Sequence, residues 1–303
     1  MDEIKTVLKK TSETLQENFP LSALTSFKTG GPARFLITPA DKDELIETLE
    51  ICERHSIPIL ILGKGTNILI SDAGFNGVVI STKNLNRTFV EGTDIHCQSG
   101  VLLSSLLKIC IEKSLKGMEF LSGIPGTIGG AIISNAGLKK EWLSEKLIKI
   151  KAISFSNIKE STLSREEIPF KYRASNLEGY LITDAIFRLD KGKKHRIKED
   201  IARYMSQRIK TQPLGIPSAG SVFKNPQGSF AGMIIEKSGL KGYAIGDASI
   251  SDKHANFIIN KGEATSEDIY KLIHIVKRQV KKMYNIELET EIKIIGSFGE
   301  QER

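Results

Sequence analysis

At 303 residues the chain is too long for one ordinary core and suits two or three domains, each able to bury enough apolar surface to fold. Apolar residues make up 40% and charged residues 26%, a balance that excludes a disordered or membrane-embedded chain. The net charge of +7 would suit nucleic acid only as a stripe; here lysines and arginines are interspersed with acids, except in short runs such as Lys191 to Arg196, which favours a small anionic ligand or an ordinary basic proteome. The opening MDEIKTVLKKTSETLQENF is a charged helical pattern without an apolar core of signal-peptide length, and no later stretch approaches a membrane span. A cytoplasmic protein with no membrane or nucleic-acid partner is expected.

Phe35 to Thr38 reads as a strand, Asp41 to Ser56 as a helix capped by Asp41 with Glu44 three residues on, and Ile57 to Leu62 as a buried strand. That unit predicts a parallel pair of strands. Gly63-Lys64-Gly65-Thr66-Asn67 follows it. Further strands are expected at Val78 to Ser81, Val90 to Ser99, Ile148 to Ser154 and Leu181 to Leu189, with a helix at Val101 to Ser114, in a mixed sheet. Past the basic run at Lys191 to Arg196, read as a domain boundary, a helix is expected over Ile197 to Lys210, then a loop rich in Pro and Gly. A helix from Ser229 to Ser238 closed by Gly239 comes next, then a long one with Ile269, Leu272, Ile273, Val276, Val280 and Met283 at helical spacing. Ile286 to Ile295 alternates like a strand. Cys52, Cys97 and Cys110 have no neighbouring Cys or His at metal-ligand spacing, so neither a metal site nor a disulfide framework is indicated.

Two glycine-rich segments stand out. Gly63 and Gly65 end a strand, where paired glycines let the backbone approach a ligand and turn N–H groups toward an anion such as a diphosphate; a plain tight turn accounts for them as well. The dinucleotide fingerprint fails there, because its third glycine would fall at Ile68. Gly123-Ile124-Pro125-Gly126-Thr127-Ile128-Gly129-Gly130 holds four glycines and a proline over eight positions, which suits a ligand lying against the main chain or a close strand crossing in the core. Tyr172-Arg173-Ala174-Ser175, Gly220-Ser221-Val222-Phe223-Lys224-Asn225-Pro226 and Leu288-Glu289-Thr290-Glu291 carry reactive side chains, but each alone reads as ordinary surface or cap. His254 reads as a hydrogen-bonded structural histidine.

In their order, from Phe27 to Gly296, these segments resemble the UDP-N-acetylenolpyruvoylglucosamine reductase family. Thr29 to Ala33 is similar to its Thr-Gly-Gly-Pro-Ala, Gly63 to Asn67 to its flavin loop, Gly123 to Gly130 to its Gly-x-Pro-Gly-x-x-Gly-Gly, and Ser251 to Phe257 to a further stretch. The resemblance implies an α+β chain: a two-domain flavin-binding fold of the vanillyl-alcohol-oxidase type plus a C-terminal α/β substrate domain. The expected division is 1–82 and 83–190 for flavin, 191–285 for substrate, and 286–303 as a strand returning to the active site. It further implies noncovalent FAD, and NADPH-dependent reduction of an enolpyruvyl sugar nucleotide for cell-wall precursor synthesis; a monomer is expected. Gly63, Lys64, Gly65, Thr66, Asn67, Gly123, Ile124, Pro125, Gly126, Thr127, Gly129 and Gly130 then match cofactor-binding positions, and Tyr172, Lys224 and Asn225 substrate-binding ones.

Three groups match the family's catalytic positions. Arg173 offers planar, permanently charged donors to the substrate carboxylate, Glu291 can help only by donating a hydrogen bond in its protonated form, and Ser221 supplies a proton. A serine hydroxyl is a poor acid, so neighbours must polarise it, and Lys224 is the nearest in sequence. The longer form of the family inserts a tyrosine-bearing lid after Tyr-Arg-x-Ser, whereas here Ser175 runs almost at once into Gly179 and the strand at Leu181, as in the short form. Lys64 stands where the family often has glycine. Another flavin oxidoreductase of the same fold would share the glycine loops without needing Ser221, Arg173 and Glu291 together, and a basic nucleic-acid-binding protein would be colourless.

Overall fold

Asp41 opens the first strongly periodic apolar stretch, and its carboxylate accepts the Glu44 amide at 3.0 Å, the N-cap bond expected of that pattern. The computed structural model describes residues 2–138 and 141–299. In chain order they form α1 (Asp2–Thr11), β1 (Gln16–Pro20), β2 (Pro32–Ile37), α2 (Lys42–Arg54), β3 (Ile59–Leu62), β4 (Ile68–Ile70), β5 (Phe75–Ser81), β6 (Thr88–Glu91), β7 (Asp94–Gln98) and α3 (Leu103–Lys113). Then come β8 (Leu115–Lys116), α4 (Ile128–Ile133), β9 (Gly137–Leu138), β10 (Glu141–Trp142), β11 (Leu147–Ser154), β12 (Glu160–Ser164), β13 (Tyr180–Arg188), β14 (Asp190–Lys191) and α5 (Lys194–Thr211). The last are α6 (Ala231–Lys237), β15 (Ala244–Ile245), β16 (Ala248–Ile250), β17 (Ile258–Asn260), α7 (Ser266–Tyr284) and β18 (Lys293–Ile295).

The chain divides into two compact units, neither of them one continuous run. The first comprises the chain up to Glu17, Phe35–Lys64 and Gly77–Gln207; the second comprises Asn18–Arg34, Gly65–Asn76 and the chain from Arg208. The basic run Lys191 to Arg196 holds the end of β14 and the start of α5.

In the first unit β3 runs parallel to β5, from Ile59 opposite Val78 to Leu62 opposite Ser81. The sheet order is β1-β2-β5-β3, so β5 separates the two strands that the sequence pattern had paired directly. Leu45, Leu49, Ile51 and Cys52 of α2 pack with Phe35, Ile37, Val78 and Ile80, and Leu8 of α1 joins them. Each such side chain taken from water contributes roughly 1.5–3 kcal/mol. A second sheet runs β12-β11-β13-β7-β6, every pair antiparallel. The strand expected over Val90 to Ser99 is instead the β6–β7 hairpin, turned at Gly92 with φ +60°. A Cβ on Gly92 would touch nothing, so it is the left-handed backbone, not crowding, that calls for glycine. Ile95, Ile150, Ile182 and Phe187 of this sheet meet Leu103, Leu106 and Ile128 in one core. Burial pushes the thiols of Cys52, Cys97 and Cys110 up to about 12, which leaves them inert packing groups.

The second unit is organised around α7. Ile269, Leu272, Ile273, Val276 and Val280 pack with Ile234 and Ile235 of α6 and with Ala248, Ile250 and Ile258 of β16 and β17. Met283, expected on the same face, is 48% exposed, because the apolar stripe drifts away from the core in the last turn. Thr265 caps α7 in a reciprocal box with Asp268, and the Asp72 carboxylate adds bonds from the Ser266 and Glu267 amides at 2.9 and 3.0 Å. Gly239 closes α6 at φ +73°. The strand expected over Ile286 to Ile295 shrinks to β18, parallel to β4; before it the chain makes only an isolated bridge, Thr290 opposite Phe223.

Candidate active site

In the first unit the two glycine segments touch. A Cβ on Gly63 would stand 2.5 Å from Thr127 Oγ1, so glycine at 63 is what lets the loops close on each other. Thr127 is buried, and its hydroxyl accepts the Gly130 amide at 3.4 Å, capping α4. The Gly129 amide donates to the Ser99 carbonyl at 2.8 Å, and a Cβ there would press on Ser99 Cβ at 3.0 Å. Gly123 has φ +75°, while Ile124 is half-buried and Pro125 and Gly130 lie open. Ser99 Oγ, on a residue packed against Gly129 of the loop, and Asn135 Oδ1, past the far end of α4, are buried without a hydrogen-bond partner among the described residues. A glycine-lined surface backed by such groups fits a polar planar ligand with a diphosphate, the flavin expected from the sequence. Close packing within the protein already calls for glycine at 63 and leaves little room for a side chain at 129, a constraint that the ligand-based expectation did not include.

The six-residue α4, about 9 Å long, leads from that loop to the Tyr172–Arg173 turn. Ser175, fully buried, donates from its hydroxyl to the Ile133 carbonyl at 2.9 Å, and Asn135 Nδ2 donates to the Lys171 carbonyl at 3.0 Å. Paired bonds between Lys171 and Ala174 close the turn, with Arg173 in the left-handed region at φ +56°. The Arg173 guanidinium lies 5.9 Å from the Trp142 ring centre and 5.7 Å from that of Tyr172, two rings that meet edge-on at 5.7 Å. Sequence reasoning missed Trp142, a lone tryptophan on a two-residue strand.

In the second unit Ser221 to Lys224 runs between two other segments. On one side Ser221 stands opposite Phe257, and the Val222 amide donates to the Asn256 carbonyl at 2.8 Å. On the other, the Glu291 amide donates to the Val222 carbonyl at 2.7 Å and the Lys224 amide to the Glu289 carbonyl at 2.8 Å. Asn67 Nδ2 donates to the Glu291 carbonyl at 3.2 Å, so the last residue of the Gly63 to Asn67 segment fixes the backbone of the expected acid. Ser221 and Glu291 are both half-buried. A Cβ on Gly65, φ +61°, would lie 2.1 Å from the Leu24 carbonyl oxygen. Lys224, expected to polarise Ser221, forms an ion pair with Glu289 at 2.6 Å, so its charge is already engaged. Asn225 Oδ1 accepts the Ala231 amide at 3.0 Å, tying its loop to the start of α6. His254 is packed against Phe257, burial holds its imidazole below the usual histidine range, and its Nδ1 accepts the Asn256 amide at 3.2 Å. Asn67, Ser221, Lys224, Asn225 and Glu291 thus belong to the second unit; Gly63, Lys64, the Gly123 to Gly130 loop, Tyr172 and Arg173 belong to the first.

Comparison with known proteins gives these residues a context. The family profile described as UDP-N-acetylenolpyruvoylglucosamine reductase, C-terminal domain, matches residues 212–295, and the profile described as FAD binding domain matches residues 33–144. A UDP-N-acetylenolpyruvoylglucosamine reductase of Clostridium novyi (strain NT) is 42% identical over 299 residues, covering 98% of this chain and 96% of the relative. The crystal structure of UDP-N-acetylenolpyruvylglucosamine reductase from Thermus caldophilus matches with a TM-score of 0.80 at 32% identity, over 93% of this chain and 98% of that one. An alkyldihydroxyacetonephosphate synthase, 16% identical with a TM-score of 0.50 over 63% of this chain and 44% of its own, shares the fold alone.

Proposed function

The chain belongs to the UDP-N-acetylenolpyruvoylglucosamine reductase family, and from that premise we propose that it reduces the enolpyruvyl ether of UDP-N-acetylglucosamine to the lactyl ether of UDP-N-acetylmuramate, with NADPH as reductant. Noncovalently bound FAD would supply the hydride-transfer chemistry that links the nicotinamide to the substrate. Gly63, Thr127 and the loop from Gly123 to Gly130 would hold it, with Ser99 packed behind Gly129. In this reading the residues up to 190 serve the flavin, 191–285 the sugar nucleotide, and Lys224, Asn225 and Tyr172 contact the substrate.

Once the methylene carbon has gained hydride, negative charge spreads over the neighbouring carbon and its carboxylate. Arg173, braced by the Trp142 and Tyr172 rings, stabilises that charge, and Glu291 adds a hydrogen bond from its protonated carboxyl. Ser221 then delivers its proton to the carbon bearing the carboxylate and is reprotonated from solvent. The observation that supports these roles best is the backbone bonding that places Ser221 to Lys224 alongside Glu289 to Glu291, with Asn67 on the Glu291 carbonyl. The protein acts as a cytoplasmic monomer, a state that light scattering of the purified protein tests; no helix among the described residues is long and apolar enough to cross a membrane.

The activity is tested by incubating the yellow protein with NADPH and the enolpyruvyl sugar nucleotide and weighing the product. A gain of two hydrogens in the sugar nucleotide, matched by NADPH consumed, is expected. NADPH oxidation that ignores this substrate would reject the reading.

A further inference from the structure

The backbone of Phe223 presents an unusual bonding problem. Because Lys224 and Val222 exchange bonds with the 289–291 segment, the Phe223 N–H and C=O between them point the opposite way, toward residues 256 and 257. There the strand pairing stops after one bridge. Phe223 is 1% exposed, so water does not reach its peptide groups freely. The Asn256 side chain replaces the missing strand: Oδ1 accepts the Phe223 amide at 2.9 Å and Nδ2 donates to the Phe223 carbonyl at 2.8 Å. Asn256, 4% exposed, also accepts the Val222 amide on its own carbonyl and donates its own amide to His254 Nδ1. Four of its hydrogen-bonding groups are therefore committed to three residues, Phe223, Val222 and His254, and three of those bonds hold residues one and two places after Ser221.

We propose that Asn256 is a positioning residue: it fixes the Ser221 segment in register so that the hydroxyl meets the substrate carbon, without touching the substrate itself. The proposal rests on Ser221 as the proton donor. Asparagine suits the task because it alone of the small side chains offers a donor and an acceptor in the geometry of a peptide group, matching both polar groups of one residue at once. Removing it leaves the Phe223 peptide to find water, and the segment shifts. A misplacement of about 1 Å at a reacting group can slow a step by about 10²-fold.

The test is a four-member cycle of wild type, Asn256→Ala, Ser221→Ala and the double variant, with the NADPH and enolpyruvyl half-reactions each followed by stopped flow. Asn256→Ala should leave flavin content and reduction by NADPH within about twofold of wild type and slow the enolpyruvyl half-reaction by roughly ten- to a hundredfold. In the Ser221→Ala background the same change should add little. In hydrogen exchange, the Phe223 amide should lose protection in Asn256→Ala while the Lys224 amide, bound to Glu289, keeps it. If the alanine variant does not fold, Asn256→Asp decides: its carboxylate still accepts the Phe223 amide but must be protonated to donate to the carbonyl, so its enolpyruvyl rate relative to wild type should recover as the pH falls. Equal slowing in both Ser221 backgrounds, equal slowing of both half-reactions, or a pH-independent deficit in Asn256→Asp would overturn the proposal. If Ser221→Ala alone leaves the enolpyruvyl half-reaction unchanged, it is the Ser221 reading that fails instead.

Discussion

A serine hydroxyl gives up a proton slowly, so its worth lies in where it is held. Ser221→Ala should keep flavin reduction by NADPH near normal and slow the enolpyruvyl half-reaction by roughly 10²- to 10⁴-fold, the usual loss with a general acid. Ser221→Cys should retain more activity than alanine, since a thiol still carries a proton; equal impairment of both half-reactions would make Ser221 a structural residue. Gly63→Val, which would drive a side chain into Thr127 Oγ1 from a Cβ 2.5 Å away, should force the two glycine loops apart and purify with little flavin, as its absorbance at visible wavelengths will report. The glycine loops stood out in the sequence because they form short motifs with tight spacing, whereas Ser221 was singled out only by its match to a family position. The pairing of Lys224 with Glu289 was not legible, because nothing in a chain predicts which of many acids 65 residues away will meet a given lysine. Asn256 was equally hidden: a single buried amide leaves no periodicity, and only the direction of the Phe223 peptide reveals its use.

Helices announced themselves where an apolar stripe was long, as in α2 and α7, and failed to where glycine disguised them. Gly129 and Gly130 weaken α4 by about 1 kcal/mol each relative to alanine, so the segment read as a loop although Thr127 caps six helical residues. The alternation from Ile286 onward was misleading up to Ile292, since Glu289 and Glu291 bond to Ser221's neighbours around one isolated bridge at Thr290 rather than through a ladder. At this scale the testable device is Asp72, whose carboxylate takes two amides at the start of α7. Asp72→Ala should cost about 1–2 kcal/mol, within the range for lost caps, and lower the melting temperature by a few degrees; Asp72→Asn, which keeps one acceptor, should lose less. An unchanged melting temperature in both variants would show that Thr265 suffices alone.

Acid should weaken the two units in different windows. In the second unit, burial holds His254 below its ordinary value of 6.5, and burial, with Lys277 and Arg278 nearby, does the same for His274. The unfolded chain therefore binds those protons first, and stability falls as pH drops below 6.5. In the first unit, Glu160 loses water contact on burial, which alone would raise it, but hydrogen bonds from Lys42 and Thr183 outweigh that and hold it below its ordinary 4.5. Its contribution is present above about 4.5 and lost as pH falls below that value. Hydrogen exchange of α7 should thus quicken at a pH where β12 and β13 remain protected; simultaneous loss would refute the separation. The path of the chain carries a consequence of its own. It leaves one unit for the other after residues 17, 34, 64, 76 and 207. On the ribosome, which delivers the amino end first, the Phe27 and Leu69 that belong to the α7 core emerge 239 and 197 residues before the helix they pack with begins at Ser266. For most of synthesis they are orphaned hydrophobic surface, and a nascent chain arrested before α7 is the form a holding chaperone should bind most tightly.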